Sequence, residues 1–100
     1  MTRILAYVPD LMDRSKVAAA GDCVFASRPA DLPGLCPSAD LVVVDLTKPG
    51  VVDVLGDLDA RVIGFANHTS RDAMDAARAA GCEQVLPRSD FFARIDELLA

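Results

Sequence analysis

Asp40-Leu41-Val42-Val43-Val44-Asp45-Leu46-Thr47-Lys48-Pro49-Gly50 constrains this chain more than any other stretch. It is a β-branched apolar run that ends on an acid and is followed by Pro-Gly. An antiparallel strand with one wet face alternates apolar and polar residues, and this run does not alternate. It predicts a strand buried on both faces, at the centre of a parallel sheet covered by helices. Parallel α/β sheets carry their functional groups at the carboxyl ends of their strands, where Asp45 falls.

The flanking sequence alternates strand and helix. Ile4–Val8 predicts the first strand, ended by Pro9, and residues 11–20 predict an Ala-rich helix closed by Gly21. Cys23–Ala26 predicts a short second strand. Pro29, Pro33, Gly34 and Pro37 leave room for a single helical turn around Asp31 to Leu35. After the third strand, Leu41–Leu46, come Val51, Val54, Leu55 and Leu58 at helical spacing, with Pro49 suited to the first turn. Arg61–Ala66 predicts the fourth strand. A helix follows, with Thr69 and Asp72 as a capping box and Ala73, Ala76, Ala77 and Ala80 as its inner face, and Gly81 closes it. Gln84–Leu86 predicts the fifth strand, and Ser89 caps a last helix that turns Phe91, Phe92, Ile95, Leu98 and Leu99 inward. Right-handed crossovers then give one α/β domain over residues 1–100. It is a five-stranded parallel sheet with helices on both faces, with no output domain expected after the last helix.

Composition narrows the function classes. A net charge of −5 argues against a nucleic-acid surface and disfavours an anionic membrane. No apolar run approaches the roughly 18 residues a membrane helix needs, and no signal-peptide pattern opens the chain. Cys23, Cys36 and Cys82 form no Cys-x-x-Cys pair, and one histidine completes no zinc site, so reduced cytoplasmic thiols are expected. No Gly-x-Gly-x-x-Gly or Walker loop follows the first strand, no Ser/His/Asp or Cys/His triad is visible, and no Asp-x-His motif marks a cobalamin module.

The chain resembles the receiver domains of two-component response regulators (CheY-like proteins). The resemblance rests on Asp40–Gly50 and on Val62–Ser89, where His68, Ala77, Gly81, Cys82 and Leu86 fall where that family has His, Ala, Gly, Ala and Leu. It implies a three-layer, flavodoxin-like architecture with strand order 2-1-3-4-5, and a phosphoacceptor at Asp45. It also implies an acid pair for Mg²⁺ after the first strand, a hydroxyl after the fourth and a lysine after the fifth. Here those positions hold Val8 and Pro9, with Asp10 just beyond, then Ala66 and Arg88. Asp10 with Asp45 makes at most a weak Mg²⁺ site, and no other cofactor is expected. Arg88, the phosphate or ion-pair candidate, is expected to pair with Asp45 and lock the site.

The leading reading is therefore a stand-alone, non-enzymatic, receiver-like signalling or protein-interaction module with a degenerate site. It would meet an unidentified protein partner through the last two helices and strand five, and the Ala-rich helix at 73–80 offers a homodimer face. Two alternatives stand beside it: a working receiver phosphorylated at Asp45, and a small flavodoxin-like ligand binder or enzyme. Plain structural roles compete at each residue. Asp45 could accept hydrogen bonds from the loop Thr47 to Val51, and Asp10 could cap the first helix. Arg88 could be only a structural partner of Asp45, His68 a solvated loop residue, and Cys82 simply buried.

Overall fold

The computed structural model describes residues 2–100. Five parallel strands, β1 (Arg3–Tyr7), β2 (Asp22–Phe25), β3 (Leu41–Asp45), β4 (Arg61–Ala66) and β5 (Gln84–Pro87), form one sheet in the order β2-β1-β3-β4-β5. The apolar run lies where its composition places it. All five β3 residues are buried, with β1 on one side (Leu5 opposite Val42) and β4 on the other (Val42 opposite Val62).

Strand periodicity divides the core in two. Val42 and Val44 face one layer, with Leu5, Val62, Val51, Leu55, Met74 and Ala77. Leu41 and Val43 face the other, with Ile4, Val17, Ile63, Phe65, Phe91 and Leu99. Burying each such Val or Leu stabilises by roughly 1.5–3 kcal/mol relative to exposure, so β3 serves both layers at once. The first layer is completed by α2 (Leu32–Leu35), α3 (Val51–Leu55) and α4 (Arg71–Ala79). The second is completed by α1 (Leu11–Ala20), α5 (Arg88–Ala93) and α6 (Ile95–Leu98).

Several local expectations give way to tertiary geometry. The capping box of Thr69 and Asp72 does not form; α4 starts at Arg71, and the Ser70 amide instead closes a turn on the Asn67 carbonyl at 2.8 Å. The inner face of α4 is Ala73, Met74, Ala77 and Ala80, while Ala76 is exposed. The long methionine fills the layer that four small alanines would leave open. Gly81 does close α4, at φ 100°, with its amide on Arg78 O (3.1 Å) and that of Cys82 on Ala77 O (3.0 Å). This paired geometry favours glycine. Gly21, by contrast, leaves α1 with extended backbone rather than in that left-handed turn. Ser89 caps nothing, because Pro87 still belongs to β5 and the chain turns directly into helix at Arg88. The last helix is broken at Arg94 into α5 and α6. Two 3-10 turns, Pro29–Asp31 and Cys36–Ser38, flank α2, which is more helix than the single turn expected from the prolines.

The amino ends of the strands carry exposed ion pairs. Arg3 lies 3.8 Å from Asp40, and Arg61 lies 2.8 Å from Glu83.

Candidate functional site

The carboxyl ends of β1, β3, β4 and β5 converge on one edge of the sheet. β3 delivers Asp45 there, 3% exposed. Its Oδ1 accepts two hydrogen bonds from Thr47, from the amide at 3.0 Å and from the hydroxyl at 2.6 Å. The loop therefore satisfies this carboxylate locally. At the end of β4, Ala66 is buried and brings no hydroxyl, and it pairs with Pro87 of β5.

After β1, Val8 is buried and Pro9 is exposed, so neither offers a carboxylate. Asp10 caps α1, its Oδ1 accepting from the amides of Met12 and Asp13 at 3.0 Å each. The Asp13 amide is the main cause that holds the Asp10 carboxyl below its usual range. Slight desolvation opposes it, and the Met12 amide, Arg88 and Lys48 add to it.

Asp13, three residues after the cap, is 4% exposed. Its Oδ1 accepts a hydrogen bond from Arg88 Nη2 at 2.7 Å, and the arginine side chain remains 40% exposed. The Arg88 guanidinium lies over Phe92 at 5.3 Å and over Phe65 at 5.8 Å, at the edge of an aromatic trio in which Phe65 stacks on Phe91 and Phe92 meets both edge-on. The hydrogen bond to Asp13 raises the Arg88 pKa above its ordinary value against partial desolvation; the charges of Asp13, Asp45 and Asp10 raise it further.

This corrects the expected Asp45–Arg88 pair. Arg88 reaches the right edge of the sheet but bonds Asp13, and Asp45 acts on it only at longer range. Asp45 already has two donors from Thr47, whereas Asp13 has no such local donors. Asp13 is the site residue that the sequence reading missed. Its spacing of four from Val17, the other buried residue of α1, is the signal that could have found it.

A divalent cation, which this fold suggests, does not fit the residues present. Mg²⁺ wants octahedral oxygen ligands. Asp10 is engaged by two amides, Asp45 by Thr47 and Asp13 by a guanidinium. Among the described residues no three His, Cys, Asp or Glu side chains converge on a common point.

Beside this edge, α4 and Pro87 border a groove of about 270 Å³ lined by His68, Arg71, Met74, Asp75 and Arg78. His68 is exposed. Cys82 is buried, its thiol donating to Gln84 O at 3.2 Å, and burial pushes that thiol up, away from reactivity. Ala73, Ala77 and Ala80 pack inward, leaving Ala76 and Ala79 on the outer side of α4.

The same fold occurs in solved structures. A response regulator from Hahella chejuensis is 18% identical, with 99% of this chain and 92% of that one covered at a TM-score of 0.82. The phosphorylated cyanobacterial phytochrome response regulator RcpA is 11% identical, with coverage of 98% and 88% at 0.77. A putative pilus assembly protein from Burkholderia thailandensis E264 is 19% identical, with coverage of 99% and 95% at 0.73. At these identities the likeness establishes the receiver fold and nothing finer. No protein-family model matches the chain, and no curated protein matches it.

Proposed function

We propose that this chain is a receiver-like signalling module that acts by protein contact, without enzymatic activity, and that its phosphorylation site is degenerate. One observation carries the reading: the basic residue of the site is bonded to Asp13 and not presented to Asp45. A carboxylate that attacks an anionic phosphoryl group needs positive charge on the developing oxygens. Asp45 has a hydroxyl and an amide on one oxygen, buried Ala66 in place of a hydroxyl at the next strand, and no assembled cation site.

The partner is proposed to dock on α4, β5 and α5. There Arg71 and His68, with Arg78 paired to Asp75 at 3.0 Å, border the buried Met74, a composition suited to an acidic segment with an apolar anchor. A net charge of −5 opposes nucleic-acid partners. Among the described residues no helix is long and apolar enough to cross a membrane. The similarity to a putative pilus assembly protein as well as to a phosphorylated response regulator supports the use of this fold beyond phosphorylation alone.

A working phosphoacceptor is the second reading, favoured by the position of Asp45 at the carboxyl end of the central strand. One experiment separates the two. The chain is incubated with acetyl phosphate and Mg²⁺ and its intact mass is recorded beside that of Asp45→Asn. The degenerate reading expects no phosphoryl addition; an adduct present in the parent and absent from Asp45→Asn establishes the phosphoacceptor.

A further inference from the structure

A surface helix ordinarily turns its charges to water and its apolar residues to the core. α1 does the reverse. Asp13 is buried against Arg88, the Arg14 guanidinium lies over the Phe25 ring at 4.5 Å, and the Lys16 ammonium lies over the Phe92 ring at 5.1 Å. All three charged side chains of the helix are thus engaged by groups of the same molecule. The outer side is left to Leu11, 77% exposed, and Met12, 73% exposed, with Ser15, Ala18 and Ala19. At 3.6 residues per turn Leu11, Ser15, Ala18 and Ala19 share one side, and Met12 stands at its edge. The outer side of α4, the face expected to serve a homodimer, carries Arg71, Asp72, Asp75 and Arg78 instead.

We propose that the outer side of α1 is a self-association face, on which a second copy of this chain packs its own α1 antiparallel about a two-fold axis at Ser15. The order of the residues selects this occupant. Large side chains stand at the amino end of the face and small ones at its carboxyl end. With the helices antiparallel, Leu11 comes level with Ala19 of the second copy, and Met12 with its Ala18. Each large side chain then meets a small one, so the axes can approach to the roughly 8–10 Å of packed helices. A parallel pair would instead set leucine against leucine and leave alanine against alanine. The antiparallel pair also opposes the two helix dipoles and repeats one patch on both copies, as a two-fold contact must. Neither copy brings a charge into the contact, so no ion is stripped of water. A helix of 10 residues is about 15 Å long, which places this contact at the small, reversible end of protein interfaces. The inference stands whether or not α4, β5 and α5 dock a partner.

The test is sedimentation velocity of the full chain from micromolar to millimolar concentration. The parent is expected to pass from monomer to dimer across that range. Leu11→Ala opens a gap and Ala19→Leu sets two leucines at one level, so each is expected to weaken association about tenfold, while the double variant, which reverses the gradient, recovers it. Both positions are exposed, so the monomers should melt almost as the parent does. Each copy carries a net charge of −5, so added salt should strengthen this uncharged contact by screening, whereas it should weaken docking of an acidic segment at α4. Under mild oxidation Ser15→Cys should form a disulfide-linked dimer across the axis. Leu11→Cys should not, because its two copies lie about 12 Å apart along the helices. A parent that stays monomeric at millimolar concentration would overturn the proposal and leave the face to another protein. So would a dimer that salt weakens, a dimer indifferent to both single changes, a double variant no tighter than either, or Leu11→Cys linking as readily as Ser15→Cys.

Discussion

Arginine meets a carboxylate at both ends of this sheet. At the amino end Arg61 faces Glu83 at 2.8 Å, and at the carboxyl end Arg88 faces Asp13 at 2.7 Å. Distance does not distinguish the two pairs, but burial does. Glu83 keeps 50% of its side-chain exposure, while Asp13 keeps 5%. A solvated acid that loses its partner gains water, whereas a buried acid that loses its partner gains nothing. The same two residue types thus decorate one end of the sheet and hold the other end together.

The comparison breaks if the two arginines prove equivalent. Arg88→Ala should cost about 2–4 kcal/mol, less than a wholly buried pair would because Arg88 is itself half in solvent, and Arg61→Ala should cost under about 1 kcal/mol. Urea unfolding of both variants measures the gap, and equal losses would remove the distinction. Thr47→Val sharpens the same point within the carboxyl end. It deletes the 2.6 Å hydroxyl bond to a buried carboxylate and should cost about 1–2 kcal/mol in the same assay.

A subtler effect is expected at Asp10, where acid should act locally. Its carboxyl is held below its usual range, first by the Asp13 amide, so its contribution is present above the ordinary carboxylate pKa and is lost as pH falls through the depressed one. The protection of the Met12 and Asp13 amides, measured against the intrinsic exchange rate at each pH, should fall across that acid window in the parent. In Asp10→Ala that protection should already be low, without a step in this window. The smallest effect belongs to the amino end. A double-mutant cycle on Arg61 and Glu83 should give a coupling of about 0–1 kcal/mol that vanishes in 1 M salt. A larger, salt-resistant coupling there would make the two ends alike.

How far the sequence could be read follows the range of the interactions. The unbroken run Leu41–Asp45 carries its own information, since a segment with no polar face can only be central, and the strand order came from the β-α alternation together with the resemblance to receiver domains. Asp45 and Arg88 were placed on the correct edge because strand ends are counted along the chain. Their pairing was misread because a choice between two acids is made in space: Thr47 claims Asp45 from two residues away, and α1 brings Asp13 to Arg88. An aspartate in a first helical turn ordinarily reads as a solvated residue favoured by the helix dipole. Nothing local marks Asp13 as buried except its register with Val17. The caps at Thr69 and Ser89 failed for a similar reason, because a turn closed on Asn67 and a strand ending in Pro87 set where those helices begin.

The 75-residue span of the Asp13–Arg88 bond also bears on assembly during synthesis. β1 can pair with β2 and β3 as soon as the first half of the chain has emerged, since both are its neighbours in the sheet. Through all of that time Asp13 has no partner, so a nascent or shortened chain that ends before residue 88 carries an uncompensated acid in its first helix. Arrival of Arg88 turns that penalty into a clasp between the first helix and the start of α5. A chain shortened before residue 88 is accordingly expected to be cut faster by added protease than the full chain.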